Sequence, residues 1–308
     1  MKTRILTLTL LVALAVAASQ LVLSPLAAQQ KPAAKPAAGG TYVPAKLSDG
    51  QPDIQGMWGD ILENIASLNV ERGDLLYPRY AAMGGRDYGA LKMFKGFLID
   101  PADGLLPHQP WALKRRDEAM KEFLAPSPAM MDPQTRGWPN GMPRENYYSS
   151  INNGPFQILQ PPGKVVFFYE IHHEFREVPL ATPGKPAPPC PGKDIVLWEG
   201  CSRGRWEGNT LVIEVTNNND ATRFDVMSNF HTSDMKVTER WTILDKDSID
   251  YKATIDDPKV YTRPWTLGVK MIRAKPGTEI FEYAGVEGDT AATELAPAIQ
   301  KFNETKKK

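Results

Sequence analysis

"YEIHHEFREV", residues 169–178, sets two adjacent histidines among carboxylates and aromatics. Read together with "KVVFF" at 164–168, it alternates apolar and polar residues, the mark of a half-buried β-strand over 164–177. Successive side chains of a strand point to opposite faces. Val165, Phe167, Tyr169, Ile171, His173 and Phe175 therefore share one face, and Glu170, His172, Glu174 and Arg176 the other. The first face belongs in a core, and His173 goes in with it. His172 is left on the solvated side.

The same count in "KVTERWTIL", residues 236–244, turns Val237, Glu239, Trp241 and Ile243 inward. A carboxylate buried without a partner is costly and is usually paired or neutralised. His173 is the expected partner of Glu239. Together they are read as a general acid/base pair, as an anchor for a polar group of a ligand, or as a buried pair that only fixes strand register.

Extending the alternation gives strands near 155–160, 164–177, 195–199, 203–207, 210–216, 235–244, 247–256, 265–273 and 279–284. Turn chemistry separates several of them: "PPGK" before Val165, "EGNT" after Trp206, "DKDS" after Leu244 and "KPGT" after Ala274. The expected fold class is mainly β, an antiparallel up-and-down, lipocalin-like barrel or a strongly bent sheet at 151–290. Residues 47–150, rich in Pro and Gly, read as a loop-rich extension with one helix in "PWALKRRDEAMKEFLA", 110–125. Leu113, Met120, Phe123 and Leu124 form its expected apolar face, and Trp58 is placed on a short edge strand. A short helix and tail close the chain at 291–308.

The first 28 residues place Lys2 and Arg4 before an apolar run and Ala27 and Ala28 at its end, the layout of a secretory signal. A Pro/Ala/Lys linker over 29–46 follows, an extended tether by composition. About 260 residues remain, enough for a sizeable core. No later run is long and apolar enough to span a membrane. Localisation is thus expected to be periplasmic or secreted.

With 36 basic and 36 acidic residues and no basic block before the terminal "KKK", nucleic acid is not an expected partner. Cys190 and Cys201 are the only cysteines, and in an exported chain they are expected to form a disulfide rather than stay free. Four histidines without metal-binding spacing make a metal site unexpected. No phosphate loop, dinucleotide fingerprint or nucleophile elbow calls for a cofactor.

Further ligand-binding candidates are Tyr169 and Trp241 on the apolar faces, His231 in "NFHTSD" at a cavity mouth, and Arg205 with Trp206. Arg205 inside a barrel would fork onto an anionic ligand; the alternative is a rim arginine stacked on Trp206 or paired with Glu207. Arg263 in "IDDPKVYTRPWT" is read as the partner of Asp256 or Asp257 in a structured turn, and second as part of a binding lip.

"SRGRWEGNTLVIEVTNNND", "VTERW", "SIDYKATIDDPKVYTRPWT" and "FEYAGVEGD" resemble a large family of secreted, functionally uncharacterised bacterial proteins with a GRWEGDTLVV…VERF…DPxxxTRPWT pattern. The likeness covers about residues 130–290, with weaker echoes in "PDIQGMWGD" and "LPHQPWALKRR". It implies export and a shared β fold without supplying an activity. Family members often carry a cysteine where Gly137 stands and read YACHEGN where this chain has residues 283–289, so of that segment only Glu287 carries over.

The leading expectation is a protein that binds a small apolar or aromatic molecule in a β-barrel cavity. A cofactor-independent hydrolase, lyase or isomerase using His173 and Glu239 is the alternative. A structural or interaction module with a filled barrel is the third reading.

Overall fold

The computed structural model describes residues 42–59, 69–82, 96–122, 132–134, 137–147 and 154–283. The expected signal segment, Phe123 and Leu124 of the expected helix, the C-terminal helix and Glu287 lie outside the described residues.

Antiparallel pairing builds two sheets. In the first, β1 (Gly56–Trp58), β3 (Phe156–Leu159), β4 (Lys164–Tyr169) and β5 (Phe175–Pro179) lie in the order β1-β3-β4-β5. In the second, β2 (Leu98–Asp100), β6 (Cys201–Glu207), β7 (Thr210–Thr216), β8 (Lys236–Asp245), β9 (Ser248–Asp256) and β10 (Trp265–Ile272) take the order β2-β10-β9-β8-β7-β6. Among the described residues the ladders do not close into a barrel: Trp58 with Arg273 and Leu180 with Gly204 are isolated bridges between the two sheets. At the second crossing a Cβ on Gly204 would lie 2.7 Å from Leu180 and 2.9 Å from Val178, so close approach requires glycine there.

The opening segment is not one strand. It is a hairpin, turning at Ile171–His173 in a short 3-10 turn between β4 and β5. His172 (φ 56°) and His173 (φ 51°) take left-handed backbone conformations, which histidine adopts more often than most side chains. The turn changes the phase of the alternation. Val165, Phe167 and Tyr169 point inward as expected, but in β5 the buried residues are Arg176 and Val178, while Phe175 is 65% exposed. His173 is exposed.

The β8 count holds, with Val237, Glu239, Trp241 and Ile243 buried. Phe156 and Phe167 meet Trp241 with ring centroids 6.1 and 4.9 Å apart, so the inner faces of the two sheets share one aromatic core. Each such ring, fully buried, contributes about 1.5–3 kcal/mol.

Two expected strands are absent. Residues 195–199 are a loop with one bridge, Leu197 to Asn218. Residues 279–283 form no ladder, because the Phe281 and Tyr283 amides donate to side chains, Glu170 Oε2 (3.0 Å) and His173 Nε2 (2.7 Å). Conversely, the stretch expected to be loops supplies β1, β2 and a helix, α1 (Gly73–Ala82), ahead of the expected one, α2 (Pro110–Glu122). The described buried face of α2 is Ala112, Arg116 and Ala119, and Leu113 is only half-buried. The helix is anchored by charge: Arg116 meets Glu71 at 2.8 Å with both side chains 1% exposed.

A helical turn at 144–147 from the same N-terminal stretch enters between the sheets. Asn146 bonds Tyr169 of β4 and both Glu239 and Tyr251 of the second sheet, and Tyr147 donates to the Phe224 carbonyl. Space that a barrel would leave open is occupied here by the chain's own plug.

Cys190 and Cys201 are disulfide-bonded, closing a loop with a sequence separation of 11. Chain-entropy arguments for so short a loop give about 3 kcal/mol. A C190A/C201A variant is expected to lose roughly that amount in urea denaturation with an unchanged m-value.

Candidate functional site

Two polar groupings surround the plug, one compensated and one not. The compensated one is built from both sheets. Arg176 Nη1 of β5 lies 2.8 Å from Glu239 Oε2 of β8. Arg176 Nε donates to Ser202 Oγ (2.9 Å). The other Glu239 oxygen accepts from Asn146 Nδ2 (2.9 Å) and Tyr251 O–H (3.1 Å), and Tyr169 O–H donates to Asn146 Oδ1 (2.6 Å). Burial opposes the Arg176 charge, but Glu239 outweighs it and its pKa is raised. Burial likewise raises the Tyr169 and Tyr251 phenols, which stay protonated donors.

The expected partner of Glu239 is therefore displaced. Arg176 takes the place of His173 because the hairpin puts even-numbered residues of β5 inside. His173 lies at the turn, its Nε2 accepting from the Tyr283 amide (2.7 Å). The acid/base pair of His173 and Glu239 is not assembled.

Other expected site residues are scattered. Tyr169 and Trp241 lie in the core, as counted. Arg205 is on the outer surface, 2.9 Å from both Glu207 and Glu214, in line with its rim reading; Trp206 donates to Gln51 Oε1 (3.4 Å). Arg263 pairs with Asp100 of β2 at 2.8 Å rather than with Asp256 or Asp257, since β2 runs beside β10 where the sequence order does not place it. Asp257 is buried and accepts from the Thr232 amide (2.6 Å). His231 is no mouth residue: it is buried, with Nε2 2.7 Å from Thr222 Oγ1 and Nδ1 3.0 Å from the Thr232 carbonyl. Cavities of about 420 Å³, beside Lys193, Lys236 and Lys259, and about 310 Å³, beside Trp58 and Arg273, are lined by neither Glu239 nor His173.

The uncompensated grouping was not singled out from the sequence. Glu145 of the plug, Glu174 at the hairpin turn and Glu199 of the disulfide loop lie within one another's electrostatic reach. Burial, with the Glu174 charge, pushes Glu145 up to about 8 against Asn140 and Arg144, which favour its ionised form. Burial and the Glu145 and Glu174 charges hold Glu199 well above the carboxylate range, against Arg176 and the Gly141 amide; burial also raises Glu174. Glu199 is 9% exposed, and neither carboxyl oxygen has a hydrogen-bond partner among the described residues. Its chain neighbour Trp198 packs on Trp138 with centroids 5.2 Å apart. Half-buried His172, pushed down to about 4 by burial and by Arg144, sits against Tyr283.

Perturbed carboxyls in one place mark functional sites more often than ordinary surface does. Among the described residues, no group of three or more His, Cys, Asp or Glu side chains could hold a metal ion. No protein-family model matches this chain, and neither a curated protein nor a solved structure does.

Breaking a buried ion pair from one side strands the other charge, at about 3–5 kcal/mol. R176M and E239Q are each expected to lose that much in urea denaturation. The R176M/E239Q double variant is expected to lose clearly less than the sum; additive losses would show that the pair is not coupled.

The pH profile should have two opposed limbs. Burial lowers His108, His172 and His231 from 6.5 to about 4, so the unfolded chain binds more protons in that window and stability falls as pH drops through it. Glu145 is raised from 4.5 to about 8, so the folded chain binds the extra proton and stability falls as pH rises toward 8. E145Q is expected to flatten the alkaline limb alone, read from urea midpoints between pH 5 and 9.

Proposed function

We propose that this is an exported small-molecule-binding protein whose site is the Glu145–Glu174–Glu199 cluster at the plug, not the space between the sheets. The observation that carries this reading is Glu199: a carboxyl more than nine-tenths buried with both oxygens unpartnered among the described residues. Native proteins seldom leave such a group unsatisfied, and a bound molecule supplies the missing donors. The signal-like first 28 residues, the resemblance to a secreted bacterial family and the disulfide support export. Among the described residues, no helix is long and apolar enough to cross a membrane.

A second reading, an interaction module with a filled interior, is favoured by the packing of Phe156, Phe167, Tyr169 and Trp241 around the plug. Ligand carriage separates the two. Native mass spectrometry of protein purified without denaturation is expected to show a bound small molecule. E199Q should lose it while keeping its near-UV circular dichroism, and H173A should retain it. A ligand-free wild type favours the filled module.

A further inference from the structure

The ligand's chemistry follows from the charges around Glu199, and this step rests on the site proposed above. We infer that the cluster receives a small organic cation, an amine or guanidinium compound with an apolar body. Its N–H groups would meet Glu199 and the neighbouring carboxyls, and its body would lie against the Trp138–Trp198 pair.

Glu199 faces Glu145 and Glu174, with Arg176 and the Gly141 amide as the groups that favour its charge. That arginine is held by Glu239 at 2.8 Å. Arg144, the cation facing Glu145, is itself held by Asp132 at 2.9 Å. Both nearby guanidinium groups thus have carboxylates of their own. An anionic ligand would add repulsion to a site already dominated by carboxyls. A neutral one would leave the carboxyls protonated and gain only ordinary hydrogen bonds, whereas N⁺–H···O⁻ bonds are roughly twice as strong.

Metal geometry is lacking among the described residues, which leaves nitrogen cations as the donors. The two half-buried indoles, inclined at 60°, add an apolar and cation-attracting wall beside Glu199.

Proton release is the signature. Carboxyls kept neutral by burial and mutual repulsion lose a proton to solvent when a cation arrives, so affinity should rise with pH until they ionise unaided, by up to about tenfold per pH unit for one proton released.

The test uses the mature protein, isothermal titration calorimetry, and three probes of one shape: benzylamine, benzyl alcohol and benzoate. Titrations run from pH 6 to 8 in buffers of different ionisation enthalpy. Benzylamine is expected to bind with proton release and with affinity rising over that range. Benzyl alcohol should bind about tenfold more weakly or worse, and benzoate not at all. E199Q should lose about tenfold or more for benzylamine; E145Q serves as a second variant if E199Q does not fold.

Binding of the alcohol or benzoate that E199Q abolishes would overturn the cation while leaving the site. Amine binding unchanged in both variants would overturn the site itself. An amine that fails to bind, or binds without proton release, would overturn the inference.

Discussion

A guanidinium and a carboxylate sealed between two sheets set the terms for the rest of this molecule. Arg176 and Glu239 belong to different sheets and are 3% and 0% exposed. Neither charge is tolerable there alone, since desolvation of each costs more than any single hydrogen bond returns. Their mutual attraction, Ser202 on one side and the Asn146–Tyr251–Tyr169 group on the other make the arrangement satisfiable. Such a pair selects geometry more than it adds stability. A slip of β5 by one residue would turn Arg176 out and leave Glu239 stranded.

The same constraint explains why the N-terminal stretch is integral to the β structure. Glu239 needs Asn146, which only the plug supplies. A second buried group pins the chain further back. Glu71 accepts from Arg116 (2.8 Å) and the Leu106 amide (2.8 Å). Asn229 donates to both Glu71 and Asp225, and Asp225 also accepts from the Val70 amide. Segments with no apolar periodicity are thus held by hydrogen-bonded charge, and β1 and β2 extend the two sheets from the same stretch.

Against this background Glu199 stands apart. Elsewhere in the interior, buried carboxylates such as Glu71, Asp225, Asp257 and Glu239 have specific donors. Glu199 has burial, two neighbouring carboxyls and no hydrogen-bonded donor among the described residues. A fold that satisfies its other buried acids leaves this one for a donor from outside the chain.

Much of the architecture was legible in the residues: antiparallel strands, the turns at "PPGK", "EGNT" and "DKDS", the inward Glu239 and the disulfide all follow from alternation, turn chemistry and cysteine count. The hairpin at 170–174 was not, although the apolar phase does slip from odd positions through Ile171 to even ones at Val178 and Leu180. Phe175, apolar yet 65% exposed, hid that slip by continuing the odd series across the turn. The candidate site was less legible still. Glu145, Glu174 and Glu199 come from a plug, a hairpin turn and a disulfide loop, with no shared spacing to announce them. Sequence by itself determined which residues want to leave water, because that preference belongs to each side chain and its immediate neighbours. Which charge met which counter-charge, and which carboxyl was left without one, only the tertiary structure decided, because those contacts join residues tens to hundreds of positions apart.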